Sequence, residues 1–226
     1  ITMPHVYRGA DRSYVFGGAI TAGAAVTWFR ETFCQAEMAE AARTGEDAHA
    51  LIERKAIDVP PGAEGLVFLP YLMGERSPIW DAQAKGAFIG LSLAHSRAHL
   101  YRAVLEGVSF ALQHNIEAGR QSGQPLDDRL IVVGGAAHSD LWMQIVADVT
   151  GYPVFTIEEE VEAALGAAML AALGAGLVDA ATAERGWVTL VERARPDPAA
   201  QAVYRERFDI YKSLYPALRD AMHRLK

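Results

Sequence analysis

The segment Ile131-Val-Val-Gly-Gly-Ala-Ala-His-Ser-Asp-Leu-Trp-Met-Gln144 carries the strongest chemical signal in this sequence. An apolar strand run meets Gly134-Gly135 and turns almost at once into a helix. Ligands of open α/β sheets bind at the carboxyl ends of strands. Glycines there let a flat base or ribose approach the backbone, and the N–H groups of a helix start suit a phosphate. The same glycines could equally serve only as a tight strand-to-helix turn, and the local pattern leaves both readings open. A second glycine segment, Gly17-Gly18-Ala-Ile-Thr-Ala-Gly23-Ala-Ala-Val-Thr27-Trp28, does not match G-x-G-x-x-G, and G-x-x-x-x-G-K-[ST] is nowhere in the chain. Neither Rossmann dinucleotide binding nor a P-loop is supported. Standing alone, this segment reads as a helix whose small residues allow close packing.

Other constellations are weaker. His138-Ser139-Asp140 has the composition of a hydrolase triad, but adjacent residues point in different directions and cannot relay a proton among themselves. His95 and His99 stand one turn apart around a helix start, yet a metal needs at least a third ligand and none is apparent. Cys34 follows an apolar helix with only Arg30 as a neighbouring cation, which fits a buried small hydrophobe better than a nucleophile. The acidic run Glu158-Glu159-Glu160-Val161-Glu162 at a helix start complements the macrodipole. A hydrolase using Ser139 or Cys34 would also lack the G-x-S-x-G elbow.

The elements that must position these residues alternate. Arg12–Phe16 is a short β-rich run ending in Gly17-Gly18. Apolar spacing predicts a helix over 21–33 with Thr21 as N-cap. Further helix follows over 35–57, interrupted by a turn at Thr44-Gly45 and stopped by Pro60-Pro61-Gly62. Residues 65–69 read as a strand and 70–81 as a long loop. The clearest helix runs from about 97 to 120 with Ser96 as its cap, its broad apolar face expected to lie against a sheet. Leu130–Val133 reads as a fully apolar strand. Helix 139–150, strand 153–156, helix 162–175 and a charged amphipathic helix over 199–225 complete an α/β pattern, most economically one domain spanning 1–226.

Composition narrows the class. The chain has 226 residues, 51% of them hydrophobic and 22% charged, enough for a substantial core. No apolar stretch of roughly 18 residues lacks a charge or turn signal. One cysteine fits a reducing cytoplasm, and the net charge of -7 argues against nucleic acid as a partner. The sequence opens at Ile1 and is expected to be either a fragment or a product starting at Met3.

Taken together, the segments resemble the C-terminal domain of FGGY carbohydrate kinases, which include xylulokinases, ribulokinases and glycerol kinases. Ala22-Gly23-Ala24-Ala25-Val26-Thr27-Trp28 resembles the family's AGA-x-x-x-W helix. Pro70-Tyr71-Leu72-Met73-Gly74-Glu75-Arg76-Ser77-Pro78 resembles its PYL-x-GER-x-P loop, and Arg102–Ala111 its RA-x-LEG helix. Gly134-Gly135-Ala136 through Ser139, Trp142, Gln144 and Asp148 resembles its adenosine motif, and Ala163–Ala168 the helix that follows.

The resemblance implies an actin-like ATPase fold: a ribonuclease H-like α/β domain, a mixed sheet flanked by helices. It implies ATP and Mg²⁺ as cofactors, with Gly134, Gly135, Ala136 and Ser139 at the adenosine and Gly23 and Thr27 on the opposite wall. Thr27 departs from the glutamine of glycerol kinases, and Ser139 replaces their asparagine. It implies phosphorylation of a ketopentose or related ketose or polyol in the cytoplasm, with the sugar held mainly by an N-terminal domain that this chain lacks. The family's phosphate loop, catalytic aspartate and phosphate turn belong to that missing part, so this chain alone is expected to be inactive. No catalytic or metal-binding residue is assigned within it. A homodimer fits the family habit. The competing expectation is a free-standing actin-like module that binds nucleotide without catalysis. A chain cut from a larger one should expose apolar surface around Tyr71, Trp80 and 17–23. Glu75 and Arg76 are read as a salt bridge bracing their loop, with a part in closing the cleft as the alternative.

Overall fold

The computed structural model of the chain describes residues 1–5, 9–123, 126–158, 162–179, 182–183 and 186–225. Strands β1 (Thr2–His5) and β2 (Gly9–Val15) pair antiparallel. Helices α1 (Gly23–Phe33), α2 (Gln35–Thr44) and α3 (Ala48–Ala56) follow, with Gly45 in the left-handed conformation closing α2 at the expected turn. Strands β3 (Val67–Leu69) and β4 (Ala87–Ile89) pair antiparallel around the long loop. The second half runs through α4 (Arg97–Gln121), β5 (Leu130–Ile131), α5 (Asp140–Thr150), β6 (Val154–Ile157), α6 (Glu162–Gly174), β7 (Leu190–Ala194) and α7 (Pro198–Arg224). β6 lies between β5, parallel to it across the α5 crossover, and β7, antiparallel to it. The sheet is therefore mixed and flanked by helices.

Two expectations about packing are corrected. Helix α4 does not lay one face on a sheet. Every residue from Tyr101 to Ala111 is buried, because α1, α3, α5, α7 and β3 surround it. Gly107 makes that crowding possible: a Cβ there would sit 2.4 Å from the Phe68 carbonyl oxygen of β3. The run 130–133 is not buried throughout either. Leu130 and Val132 pack on the core, while Ile131 and Val133 stay half-exposed, as alternation along a strand requires.

The start of α4 bears out its cap. Ser96 accepts from the backbone of His99, and the Ser96 N–H donates to His99 Nδ1 at 3.2 Å. His99 Nε2 meets Glu64 Oε2 at 3.3 Å, and His95 Nδ1 accepts from Ser92 N at 2.9 Å, so both imidazoles are spent on local structure. Cys34 is wholly buried, and burial pushes its thiol up. In the acidic run, residues 159–161 lie outside the described residues.

The C-terminal helix closes the fold. Tyr204, Phe208, Tyr211 and Tyr215 fall on one stripe of α7; the first three are buried, and Tyr215 packs partly buried beside them. Tyr71 donates its hydroxyl to Tyr211 Oη at 2.9 Å and is 1% exposed, which corrects the expectation that it stands on an open surface. Trp80 is 60% exposed, as expected. Among the described residues no helix is long and apolar enough to cross a membrane.

One carboxylate oxygen ties the centre together. Glu106 Oε1 accepts from Arg102 Nε at 2.8 Å, from the Tyr204 hydroxyl at 2.8 Å and from the Gly62 N–H at 2.9 Å. Arg102 Nη2 also donates to Tyr204 Oη at 2.9 Å. Burial pushes the Glu106 carboxyl up, and Arg102 pulls against it most strongly. Removing one member of such a buried pair strands the other. Glu106→Ala should cost about 3–5 kcal/mol, read as the loss in unfolding free energy under denaturant; a cost below about 1 kcal/mol, the size of an exposed pair, would refute this central role.

Candidate functional site: a cleft between two glycine segments

The first wall is the start of α1. Gly23 is its first residue and Thr27 stands one turn on, so the two share a face. Thr21 does not cap this helix. It is buried, and its hydroxyl donates to the Pro70 carbonyl instead, joining α1 to the end of β3. Ala22 takes the N-cap position without a side-chain bond. Behind this wall, Glu75 accepts from Ile20 N at 2.9 Å and from Arg76 N at 2.7 Å. The Arg76 guanidinium lies over the Phe16 ring at 5.8 Å. Glu75 therefore braces the loop through backbone amides and not through the expected salt bridge with Arg76.

The second wall follows β5. Gly134 has φ 82° and ψ -168°, a conformation essentially restricted to glycine. It shapes the turn. Residues Gly135–His138 form one 3₁₀ turn, and Ser139 caps α5 by accepting from Trp142 N at 2.9 Å. Arg193 of β7 holds this loop from behind, donating to the Ala137 carbonyl at 2.6 Å and to Asp140 Oδ1 at 2.5 Å. With Ser139 capping a helix and Asp140 paired to Arg193, the triad composition at 138–140 makes no triad.

Helix α3 supplies a third side. Asp47 caps it by accepting from Ala50 N at 3.0 Å. His49 Nε2 lies 3.0 Å from Arg30 Nη1. Arginine can only donate, so this nitrogen is the acceptor and the ring proton sits on Nδ1. Burial, reinforced by Arg30, pushes the His49 pKa down and favours the neutral ring. Burial pushes the Glu53 carboxyl up, against hydrogen bonds from the side chains of Ser139 and Tyr101; Asp47 and Asp140 push it further.

These walls enclose a cavity of about 610 Å³. Five of the six residues singled out from sequence line it: Gly23, Thr27, Gly135, Ala136 and Ser139. Gly134 does not line it and acts through the turn. Tyr101 and Trp142 contribute aromatic surface, and Asp47, His49 and Glu53 form one end. The Trp142 indole N–H is buried without a partner. A second hollow of about 390 Å³ shares Gly23, Gly135, Ala136 and Trp142 and continues past Gly17 and Gly18, with no charged side chain in its lining. Sequence reasoning foresaw helix across α3 but gave neither α3 nor Arg193 a place at the site. No motif marks them, and only the packing of α3 beside α4 and of β7 beside α5 brings them to the cleft. Among the described residues no group of three or more His, Cys, Asp or Glu could hold a metal ion.

Comparison with known proteins supplies the relatives of this arrangement. The model of the C-terminal domain of the FGGY family of carbohydrate kinases matches residues 3–175. The chain is 37% identical over 218 residues to xylulose kinase of Bacillus subtilis, covering 96% of this chain and 41% of that protein. It is 32% identical to gluconokinase of Bacillus licheniformis, covering 94% of this chain and 42% of that protein. The crystal structure of xylulose kinase from Rhodospirillum rubrum superposes with a TM-score of 0.77 at 36% identity, over 91% of this chain and 40% of that one. The chain thus spans about two fifths of the length of these relatives. The structural likeness establishes the actin-like ATPase fold.

Because Ser139 caps α5, Ser139→Ala should lower stability by about 1 kcal/mol, and Ser139→Asn should leave it nearly unchanged. Thermal unfolding of both variants checks this; equal losses would mean that the cap contributes nothing.

Proposed function

The chain belongs to the FGGY family of carbohydrate kinases, and from that premise we propose that it is the nucleotide-binding domain of a kinase that moves the γ-phosphoryl group of ATP to a sugar hydroxyl. The observation that carries this reading is the cavity itself. Two glycine segments far apart in sequence, Gly23 with Thr27 and Gly135 with Ala136 and Ser139, face one another across a space of nucleoside size. In this reading Gly135, Ala136 and Ser139 meet the adenosine, Gly134 holds their turn, and Gly23 and Thr27 form the facing wall. The uncharged hollow beyond takes the phosphates towards Gly17 and Gly18.

Phosphoryl transfer depends on positioning, on neutralising the phosphate charge and on a base for the attacking hydroxyl. The cleft serves the first. The base and the sugar contacts would come from an N-terminal domain outside this chain. Mg²⁺ would enter with the triphosphate and neutralise phosphate charge there, and no residue of this chain is assigned to hold it. A ketopentose or a related ketose or polyol is the proposed acceptor, in keeping with the xylulose kinases among the relatives. The cytoplasm, where ATP is at hand, is the proposed site of action. Alone, residues 1–226 should not turn ATP over in response to any ketose, and turnover by the purified chain would overturn that assignment.

Gly135→Val tests the nucleotide wall. A Cβ at Gly135 meets nothing within 4 Å, so the new side chain projects into the cavity without straining the fold. In the full-length gene product this substitution should raise the KM for ATP about tenfold or more and leave the KM for sugar within about twofold. Unchanged constants for both substrates would refute the site.

A further inference from the structure

The nucleotide cleft is electrostatically lopsided. Its carboxylates, Asp47 and Glu53, gather at the α3 end, and the adjoining hollow has no charged side chain in its lining. A triphosphate is repelled from the carboxylate end and settles towards the neutral one. The base is the part of a nucleotide farthest from its phosphates, so it comes to rest beside α3. Glu53 waits there. Its carboxylate lines the cavity beside the hydroxyls of Ser139, on the opposite wall, and Tyr101, which favour its charged form. The Ser139 oxygen already accepts from Trp142 N, which leaves the serine proton free for Glu53. A carboxylate has lone pairs for more than two donors, so these neighbours leave room for another.

We propose that Glu53 is a nucleotide-selecting residue: its carboxylate accepts a hydrogen bond from the exocyclic amine of adenine. This rests on the nucleotide reading above. The amine is the only N–H donor on the adenine ring system. A 6-oxo base in the same pose sets an acceptor oxygen against the carboxylate, and two facing acceptors in a partly buried site are costly. His49 complements the pattern from the same end, because its Nδ1–H suits a ring nitrogen of the base.

The test is binding of ATP, ITP and 2′-deoxy-ATP to the full-length gene product without sugar, measured by titration calorimetry on wild type, Glu53→Ala and Glu53→Gln. Wild type should prefer ATP to ITP. Glu53→Ala should weaken ATP and 2′-deoxy-ATP about tenfold or more and leave ITP bound at least as tightly as by wild type, collapsing the preference. Glu53→Gln keeps an acceptor for Ser139 and Tyr101 and adds an N–H donor, so it should bind ITP more tightly than wild type does. That variant decides the matter if Glu53→Ala fails to fold, which its melting temperature reveals. Equal losses for ATP and ITP in both variants would reduce Glu53 to a prop for Ser139 and overturn the proposal. A loss for ATP that spares 2′-deoxy-ATP would place the contact on the ribose and overturn it as well. Wild-type protein that binds no adenine nucleotide removes the nucleotide reading itself, an outcome distinct from binding with an unaltered ATP-to-ITP ratio.

Discussion

The buried carboxylate of Glu106 is the constraint on which the rest of this domain depends. A charge in the interior is costly unless every lone pair is used, and here one oxygen accepts from three donors. Those donors come from three places in the chain: Arg102 on the same helix, Tyr204 on α7 and the backbone of Gly62. Satisfying one carboxylate therefore fixes the height of α7 against α4 and the position of the turn entering β3. Gly107, the next residue, lets β3 press onto α4 at backbone distance. Both walls of the cleft stand on this centre, because α1 and α5 pack on α4.

The cleft walls share a design. Each glycine segment is left bare towards the cavity and is gripped from behind by charge-assisted hydrogen bonds to backbone groups. Glu75 holds the amide of Ile20 behind the first wall. Arg193 holds the carbonyl of Ala137 behind the second. Such bonds are stronger than neutral ones and fix a loop that has few side chains of its own to pack. The glycines supply access, and the charges behind them supply rigidity.

Much of this was legible in the sequence. Ser96, Gly45 and the alternation around 130–157 marked element ends by local chemistry, and the five predicted site residues that line the cavity lay in segments that resemble known family motifs. What stayed hidden depended on partners far along the chain. Thr21 has the residue type of an N-cap, yet the Pro70 carbonyl took its hydroxyl. Tyr71 sits in a loop that reads as exposed, yet α7 covers it, and nothing local announces a helix more than a hundred residues away. Helix α4 has an amphipathic spacing, but its burial is all-round because five elements converge on it. Glu53 looks like any surface glutamate of a charged helix until α3 is packed beside the Ser139 turn.

The distribution of charge around the cleft bears on what such a domain can contribute to a reaction. Its carboxylates, Asp47 and Glu53, gather at the α3 end, and nearby cations are committed elsewhere: Arg30 to His49, Arg193 to the loop, Arg102 to Glu106. The hollow proposed for the phosphates has no charged side chain in its lining, which is mostly glycine and apolar residues. On the proposed reading, such a seat would hold a polyphosphate by shape and backbone groups and not by countercharge. On that same reading, neutralising the charge that develops during phosphoryl transfer would fall to groups outside this cleft.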